Sequence, residues 1–390
     1  MSGSQIDGGA VPYYGRTPPM LETVSAFEAV KRSFLFESET LRFSSPLLSV
    51  IARSCAADEE MLELGTHARP GQPIGIFIML AAQFLLLKHP TAPLARYFPS
   101  LTPAPEPKEE AFPAFKQFCL ERRDELLPLL ASRTVNTNLV ERASTILPAL
   151  AHVASITGEP LTLVEICCSS GLSLLFDEYY YDYGAAGAVG NPSASVKLSG
   201  CKLIGGIRPP VSVIPQVSKR IGVDLVTIDT TDAMERLWME AMLCPEWVRE
   251  RENLHKALEF RASRPLATRT GNALEVLPGL LDELSGPVVV FHSYCMGQWS
   301  MAAKGALDRL FREASRRRDV HRLGFEVPDE ETPEEVRARF ITLSSARIPI
   351  QQKCIPARIE HTQYSEGDGR TRVLANVDGF GAWLQWLASS

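Results

Sequence analysis

At Gly158 the hydropathy pattern of the chain changes its period, and that change limits the folds open to it. From Met20 to about Ser155 apolar residues recur every three or four positions, as in Phe27, Val30, Phe34 and Leu35 or Phe115, Phe118, Leu126, Leu127 and Leu130. This is the spacing of one face of an amphipathic helix, so the region is expected to be all-helical. Beyond Gly158 and Pro160 short apolar runs alternate with helical stretches: Leu161–Ile166, Val223–Ile228, Leu266–Thr270, Val288–Phe291, His321–Val327, Phe340–Ser344 and Arg372–Asn376. Strands separated by helices need crossover connections, which gives an α/β domain with a mainly parallel sheet. The last two runs flank a polar, Gly-containing stretch (SEGDGR, Ser365–Arg370) with no long helix between them, which favours an antiparallel pair at the end of the sheet. The expected organisation is a tail over 1–19, a helical N-terminal domain over 20–156, and the sheet domain over 157–390 with an inserted cap near 179–216.

Forty Lys and Arg against 46 Asp and Glu leave a net charge of −6. A chain without a cationic field is a poor partner for nucleic acid or an anionic membrane, so a small-molecule substrate is expected. The most apolar run, Ile74 to Leu87, is shorter than the ~20 residues of a membrane span and contains Gln83, so it reads as a buried helix. The first twenty residues lack a basic segment followed by an apolar one and read as a frayed tail rather than a secretory signal. Eight cysteines without CxxC spacing suggest a reducing, cytoplasmic setting. Seven histidines without HExxH pairing give no case for a metal. The basic run Arg312–Arg322 fits a solvated helix end, and oligomeric state is left open.

The chemistry concentrates in LTLVEICCSSGLSLLF, Leu161–Phe176: an apolar strand, a run of small residues, then an apolar helix expected from Leu172. That order is used to hold nucleotide-like ligands. A dinucleotide loop would need a third glycine where Leu172 stands, and a Walker loop would need Gly-Lys-Ser/Thr, so NAD, FAD and a P-loop ATP site are disfavoured. An acid followed by small residues at every second position, Glu165, Cys167, Ser169 and Gly171, resembles the ExGxGxG turn of class I S-adenosylmethionine-dependent methyltransferases. The other reading of the segment is a tight turn without a ligand. By the same resemblance VDLVTID supplies Asp229 for the ribose hydroxyls, Asn272 and Ala273 stand beside the adenine, and VVVFHS delivers His292 at a strand's carboxyl end, followed by Tyr294. Glu165 and Asp229 lie 229 − 165 = 64 residues apart, which requires the insertion.

Over almost its whole length the chain resembles the bacterial and fungal proteins grouped as domain-of-unknown-function family 2332. The resemblance rests on SRTVNTNLVERAS (Ser132–Ser144), LVEICCSSGLSLLFDEYYYDYG (Leu163–Gly184), RIGVDLVTID (Arg220–Asp229) and DGFGAWLQWL (Asp378–Leu387). It implies a helical N-terminal region and a Rossmann-like, methyltransferase-like domain. The chain departs from the family pattern at Cys167 for Gly, Ser173 for Asn, Asn136 and Leu139 for Gln and Glu, and Asn272 for Asp.

The expected function is an S-adenosylmethionine-dependent, methyltransferase-like enzyme acting on a small organic molecule. One alternative is an α/β serine hydrolase with Ser169 as nucleophile and Asp229 and His292 completing a triad. Another is a binding protein that keeps the fold without catalysis. His292 is a candidate general base, or else a core histidine. Glu178 and Tyr294 are candidate catalytic groups. Tyr180, with its neighbours Tyr179, Tyr181 and Tyr183, reads as an aromatic rim for substrate or as packing. Asn136 and Asn138 are candidate substrate contacts or helix caps. Cys167 and Cys168 serve as small turn residues in preference to a redox pair.

Overall fold

The computed structural model describes residues 25–328 and 356–388; the expected tail over 1–19 and the run Phe340–Ser344 lie outside them. The described residues divide into two compact units, one comprising 25–138 together with Met234–Glu252, the other Leu139–Ala233, 253–328 and 356–388. Among the described residues the α-helices are α1 (Ala26–Thr40), α2 (Pro46–Cys55), α3 (Glu59–Gly65), α4 (Ile74–Lys88), α5 (Ala111–Glu121), α6 (Arg123–Ser132), α7 (Ala143–Thr157), α8 (Ala233–Ala241), α9 (Val248–Ala262), α10 (Ala273–Glu283) and α11 (Met301–Ala314). No helix among the described residues is long and apolar enough to cross a membrane.

The first unit is helical and centres on α4, which is buried without a break from Gly75 to Leu86. Gln83 is fully buried there, and its Nε2 donates to the carbonyls of Ala241 (2.7 Å) and Leu243 (2.6 Å). This pair of bonds and the edge-on packing of Trp238 against Phe84, 5.2 Å between centroids, draw a segment from the middle of the chain into the helical unit. Helix α7, by contrast, falls in the second unit.

Among its described residues that unit holds a mixed sheet of nine strands: β1 (Leu161–Ile166), β5 (Lys202–Ile204), β6 (Val217–Asp224), β7 (Ala267–Thr270), β8 (Val288–Ser293), β9 (Val320–Glu326), β10 (Pro356–Ser365), β11 (Asp368–Asp378) and β12 (Trp383–Trp386). Their order across the sheet is β5-β12-β11-β10-β9-β8-β1-β6-β7. Strands β7, β6, β1, β8 and β9 run parallel, while β9 to β12 alternate direction. One face of the central strands, carrying Val164, Ile166, Val288 and Val290, packs with Leu277 and Leu281 of α10 and Leu307 and Phe311 of α11.

Several expectations need correction. The second parallel strand ends at Asp224, not near Ile228, and Leu225 and Val226 are exposed in the loop beyond it. The terminal antiparallel pair is formed by β10 and β11 around Glu366 and Gly367, so the partner of the Arg372 run is Pro356–Ser365. The insertion is more than a cap. It forms a small sheet of β2 (Tyr180–Asp182), β3 (Ala188–Val189) and β4 (Lys197–Ser199), and its β5 pairs with β12 at the edge of the large sheet. After the β1 turn no α-helix resumes: Leu172–Glu178 is a kinked 3-10 segment. The reason lies in the tyrosines, because Tyr179 donates its hydroxyl to Leu172 O (2.8 Å) and Tyr181 to Phe176 O (2.5 Å), capturing carbonyls a helix would use.

Candidate functional site

Strand β1 is central, with β6 on one side and β8 on the other, and the chain visits β6 and β7 before crossing back to β8 and β9. The carboxyl ends of β1 and β8 therefore flank the crevice where an open α/β sheet binds ligands. The turn leaving β1 has left-handed backbone at alternate residues: φ is 57° at Cys167, 52° at Ser169 and 75° at Gly171. These are the three positions at which the resembled pattern carries glycine, so the conformation is kept where two of the glycines are not. A non-glycine residue in this region costs ~1–2 kcal/mol, which the surrounding bonds offset. Gly171 is further required by space, since a Cβ there would lie 2.5 Å from Leu266 Cδ2.

Asp224 is the principal anchor of the turn. Its Oδ2 accepts from Ser169 N (2.7 Å), its Oδ1 from Val226 N (3.2 Å), and its carbonyl from Gly271 N (2.8 Å). One acid at the end of β6 thus joins the carboxyl ends of β1, β6 and β7. Arg261 of α9 adds a bond from Nε to Ser170 O (3.0 Å), and Thr227 Oγ1 meets Thr270 Oγ1 at 3.0 Å. Neither Asp224 nor Arg261 was singled out by sequence reasoning, which followed the apolar run past Asp224 to Asp229.

Asp229 itself is exposed, five residues past the strand end, and its Oδ1 accepts from Thr231 N (2.9 Å) and Thr231 Oγ1 (2.7 Å). The Thr231 hydroxyl holds the Asp229 carboxyl below the usual carboxylate range. Asn272 is the N-cap of α10, its Oδ1 accepting from Leu274 N (3.0 Å), and Ala273 is the buried first residue of that helix.

Glu165 faces Gly222 of β6 and Phe291 of β8 across the ladder and is 5% exposed. Burial raises its carboxyl well above the ordinary range, with the Asp224 charge acting in the same direction. Its Oε2 has no hydrogen-bond partner among the described residues, although Ser173 bonds to the carboxyl and the Arg142 charge acts on it. Arg142 donates from Nε to Gly379 O (2.9 Å) and lies 4.7 Å from the centroid of the Tyr294 ring. Tyr294 is half-buried and left-handed (φ 54°), its N–H donating to Phe325 O (2.9 Å). Arg142 was visible only as the last residue of VNTNLVER.

The surroundings of His292 match the core reading of this residue more closely than the general-base reading. It is fully buried, and Arg322 Nε donates to its Nε2 (2.9 Å). An arginine can only donate, so the ring proton sits on Nδ1 and goes to Glu326 Oε1 (2.7 Å). Glu326 Oε1 also accepts from Cys295 N (3.0 Å) and Met296 N (3.2 Å). Both imidazole nitrogens are thus engaged, and burial lowers the pKa of the ring. Because Asp229 and His292 are each bound to other groups, the triad of the hydrolase reading is not assembled around Ser169.

Tyr179, Tyr181 and Tyr183 follow the packing alternative: they are buried with hydroxyls on backbone carbonyls, that of Tyr183 on Ser144 O (2.7 Å). Tyr180 is half-buried with Lys197 Nζ 6.0 Å from its ring centroid, and Glu178 is exposed. Asn136 and Asn138 belong to the helical unit, where Asn138 Nδ2 donates to Asn136 Oδ1 (3.3 Å).

One bond was not anticipated. Cys167 forms a disulfide with Cys295, 128 residues away, whereas Cys168 is free and buried. Cysteine usage therefore does not carry the inference of a reducing compartment. Among the described residues no group of three or more His, Cys, Asp or Glu is arranged to hold a metal ion.

The strain at Ser169 gives a direct test of the turn. Ser169→Gly is expected to keep or raise the melting temperature, by up to ~3 °C, because glycine removes about 1 kcal/mol of left-handed strain. A fall of several degrees in a thermal melt would show that the serine hydroxyl contributes more than the backbone strain costs.

The family described as "Uncharacterized protein conserved in bacteria (DUF2332)" matches residues 32–386 of the chain. Neither a curated protein nor a solved structure matches the chain.

Proposed function

The chain belongs to the DUF2332 family, and from the site it carries we propose that it binds S-adenosylmethionine at the turn after β1 and acts as a methyltransferase-like enzyme on a small organic molecule. The observation that supports this most is the left-handed backbone at Cys167, Ser169 and Gly171, which keeps the shape of a glycine-rich cofactor turn. The strand order β7-β6-β1-β8-β9, reversing at β1, supports a Rossmann-like reading of the parallel half of the sheet.

The residues present fit such a cofactor. Asp224 at the end of β6 offers a half-buried carboxylate to the ribose hydroxyls, and in this reading it takes the role first given to Asp229. Leu225 and Val226, 65% and 73% exposed, supply apolar surface for the adenine beside Asn272. Glu165, whose buried Oε2 has no partner among the described residues, offers a hydrogen-bonding group at the base of the turn. When bound, the cofactor supplies an electrophilic methyl group on its sulfonium. Engagement of both His292 nitrogens favours, as a second reading, a protein that binds the ligand without transferring the methyl group.

Calorimetry with S-adenosylhomocysteine, with ATP and NAD as comparison ligands, tests the proposal. Saturable one-to-one binding of S-adenosylhomocysteine alone is expected, and absence of heat with all three contradicts it. Release of S-adenosylhomocysteine from S-adenosylmethionine in the presence of acceptor extracts separates the enzyme from the binding protein.

A further inference from the structure

We propose that the Cys167–Cys295 disulfide is a thiol-exchange site, attacked at Cys167 by a dithiol reductant, and that opening it releases the ligand-binding turn. What the turn binds rests on the preceding reading, while the exchange itself does not. The bond joins the residue that follows β1 to a residue just past β8, with 6.1 Å between the Cα atoms. It therefore spans the crevice at which the strand order reverses.

The two sulfurs differ in access. Cys167 is exposed, whereas Cys295 is 1% exposed, so only Cys167 can be approached by an outside thiolate. The neighbouring Cys168 does not compete. Its Sγ packs over Gly222, where a Cβ would come within 2.5 Å, and burial pushes its thiol far above the usual range, so it stays protonated. The other described cysteines outside the bridge, Cys55, Cys119, Cys201 and Cys244, are all buried.

In the first step a reductant thiolate bonds to Cys167 Sγ, the disulfide breaks, and Cys295 leaves with the electron pair and takes up a proton. In the second step the reductant's other thiolate attacks its own first sulfur, and Cys167 leaves as a thiolate and is protonated. The protein gains two electrons and two protons, and the dithiol becomes a cyclic disulfide.

Both ends of the bridge adjoin unfavourable backbone: Cys167 is itself left-handed, and so is Tyr294, immediately before Cys295. The closed bridge restrains both. Once it opens, Cys167 is free to relax toward ordinary backbone angles, and the glycine-like cradle that includes Ser169 and Gly171 is lost. The oxidised protein is thus the form that binds ligand, and reduction weakens binding by roughly tenfold, the order expected for one left-handed residue no longer held.

The test uses the full chain, oxidised with oxidised glutathione or reduced with dithiothreitol. Three readouts are taken on each form: N-ethylmaleimide labelling with peptide mapping, amide hydrogen exchange, and S-adenosylhomocysteine calorimetry. The oxidised form is expected to give one cross-linked peptide containing Cys167 and Cys295. In the reduced folded form Cys167 labels, while Cys168 and Cys295 do so only on denaturation. Exchange over 166–172 and 293–296 speeds up, ligand affinity falls about tenfold, and Cys295→Ser behaves as reduced under both conditions. Free Cys167 after oxidation, or identical exchange in the two forms, overturns the proposal. If exchange changes but affinity does not, release of the turn as a control on binding is overturned. If exchange changes and neither form binds S-adenosylhomocysteine, the exchange site stands and the cofactor reading fails.

Discussion

His292→Ala is expected to lower the melting temperature of the sheet unit by about 6–12 °C, from a loss of ~3 kcal/mol. The imidazole is fully buried between an arginine that donates to it and a carboxylate that accepts from it. Removing it leaves a cavity and deprives Arg322 and Glu326 of a shared partner inside the protein, where an unsatisfied charged group is costly. Glu326 also accepts the N–H groups of Cys295 and Met296, so the loss reaches the backbone that carries one end of the disulfide. Thermal unfolding followed by circular dichroism measures the effect. An unchanged melting temperature with loss of turnover would restore His292 as a general base and contradict the structural role.

Acid is expected to unfold the protein through a second histidine group, and His361→Phe is expected to blunt that sensitivity. The rings of His321 and His361 stack at 5.2 Å with Nδ1 of the first 2.9 Å from Nε2 of the second. His152 of α7 meets His361 edge-on at 5.7 Å. Burial lowers His361 from 6.5 to about 3, with the charges of His321, His152 and Arg372 acting in the same direction. Burial also lowers His152 and His321, the latter opposed by Asp319.

A histidine depressed in the folded state is neutral in both states above about pH 6.5, so nothing is lost there. Below that value the unfolded chain takes up protons that the fold resists, and stability declines until the folded group titrates near pH 3. The drop across that window is on the order of 5 kcal/mol for His361 alone. His361→Phe is expected to cost ~1 kcal/mol at pH 7, from the lost bond to His321, yet to shift the acid midpoint downward. Equal midpoints for wild type and variant would remove the cluster from the account.

How much of this was legible depended on whether the determining contacts were local. Strand β1 was read to its observed bounds because Pro160 precedes its apolar run and small residues follow it. Strand β6 was misplaced because VSKRIGVD carries charges: Arg220 donates to Leu174 O and pairs with Asp177, so a basic strand position is satisfied by a segment more than forty residues upstream. The exposed Leu225 and Val226 then extended the apparent strand to Asp229, past its observed end at Asp224. The turn itself was legible in residue type, since small side chains at 167, 169 and 171 marked the positions that prove left-handed. The disulfide and the Arg322–His292–Glu326 chain were not, because their partners come from separate strands and turns whose register no local pattern records.

The choice between the two acids is the most direct test of the proposed site. In calorimetry with S-adenosylhomocysteine, Asp224→Asn is expected to weaken binding by about ten- to a hundredfold, the value of a charge-assisted hydrogen bond of ~1.5–3 kcal/mol. Asp229→Asn, altering an exposed side chain bound within its own loop, is expected to change it by no more than about twofold. The opposite ranking, or the absence of binding by the wild-type protein, would contradict the assignment of the turn after β1 as a cofactor site.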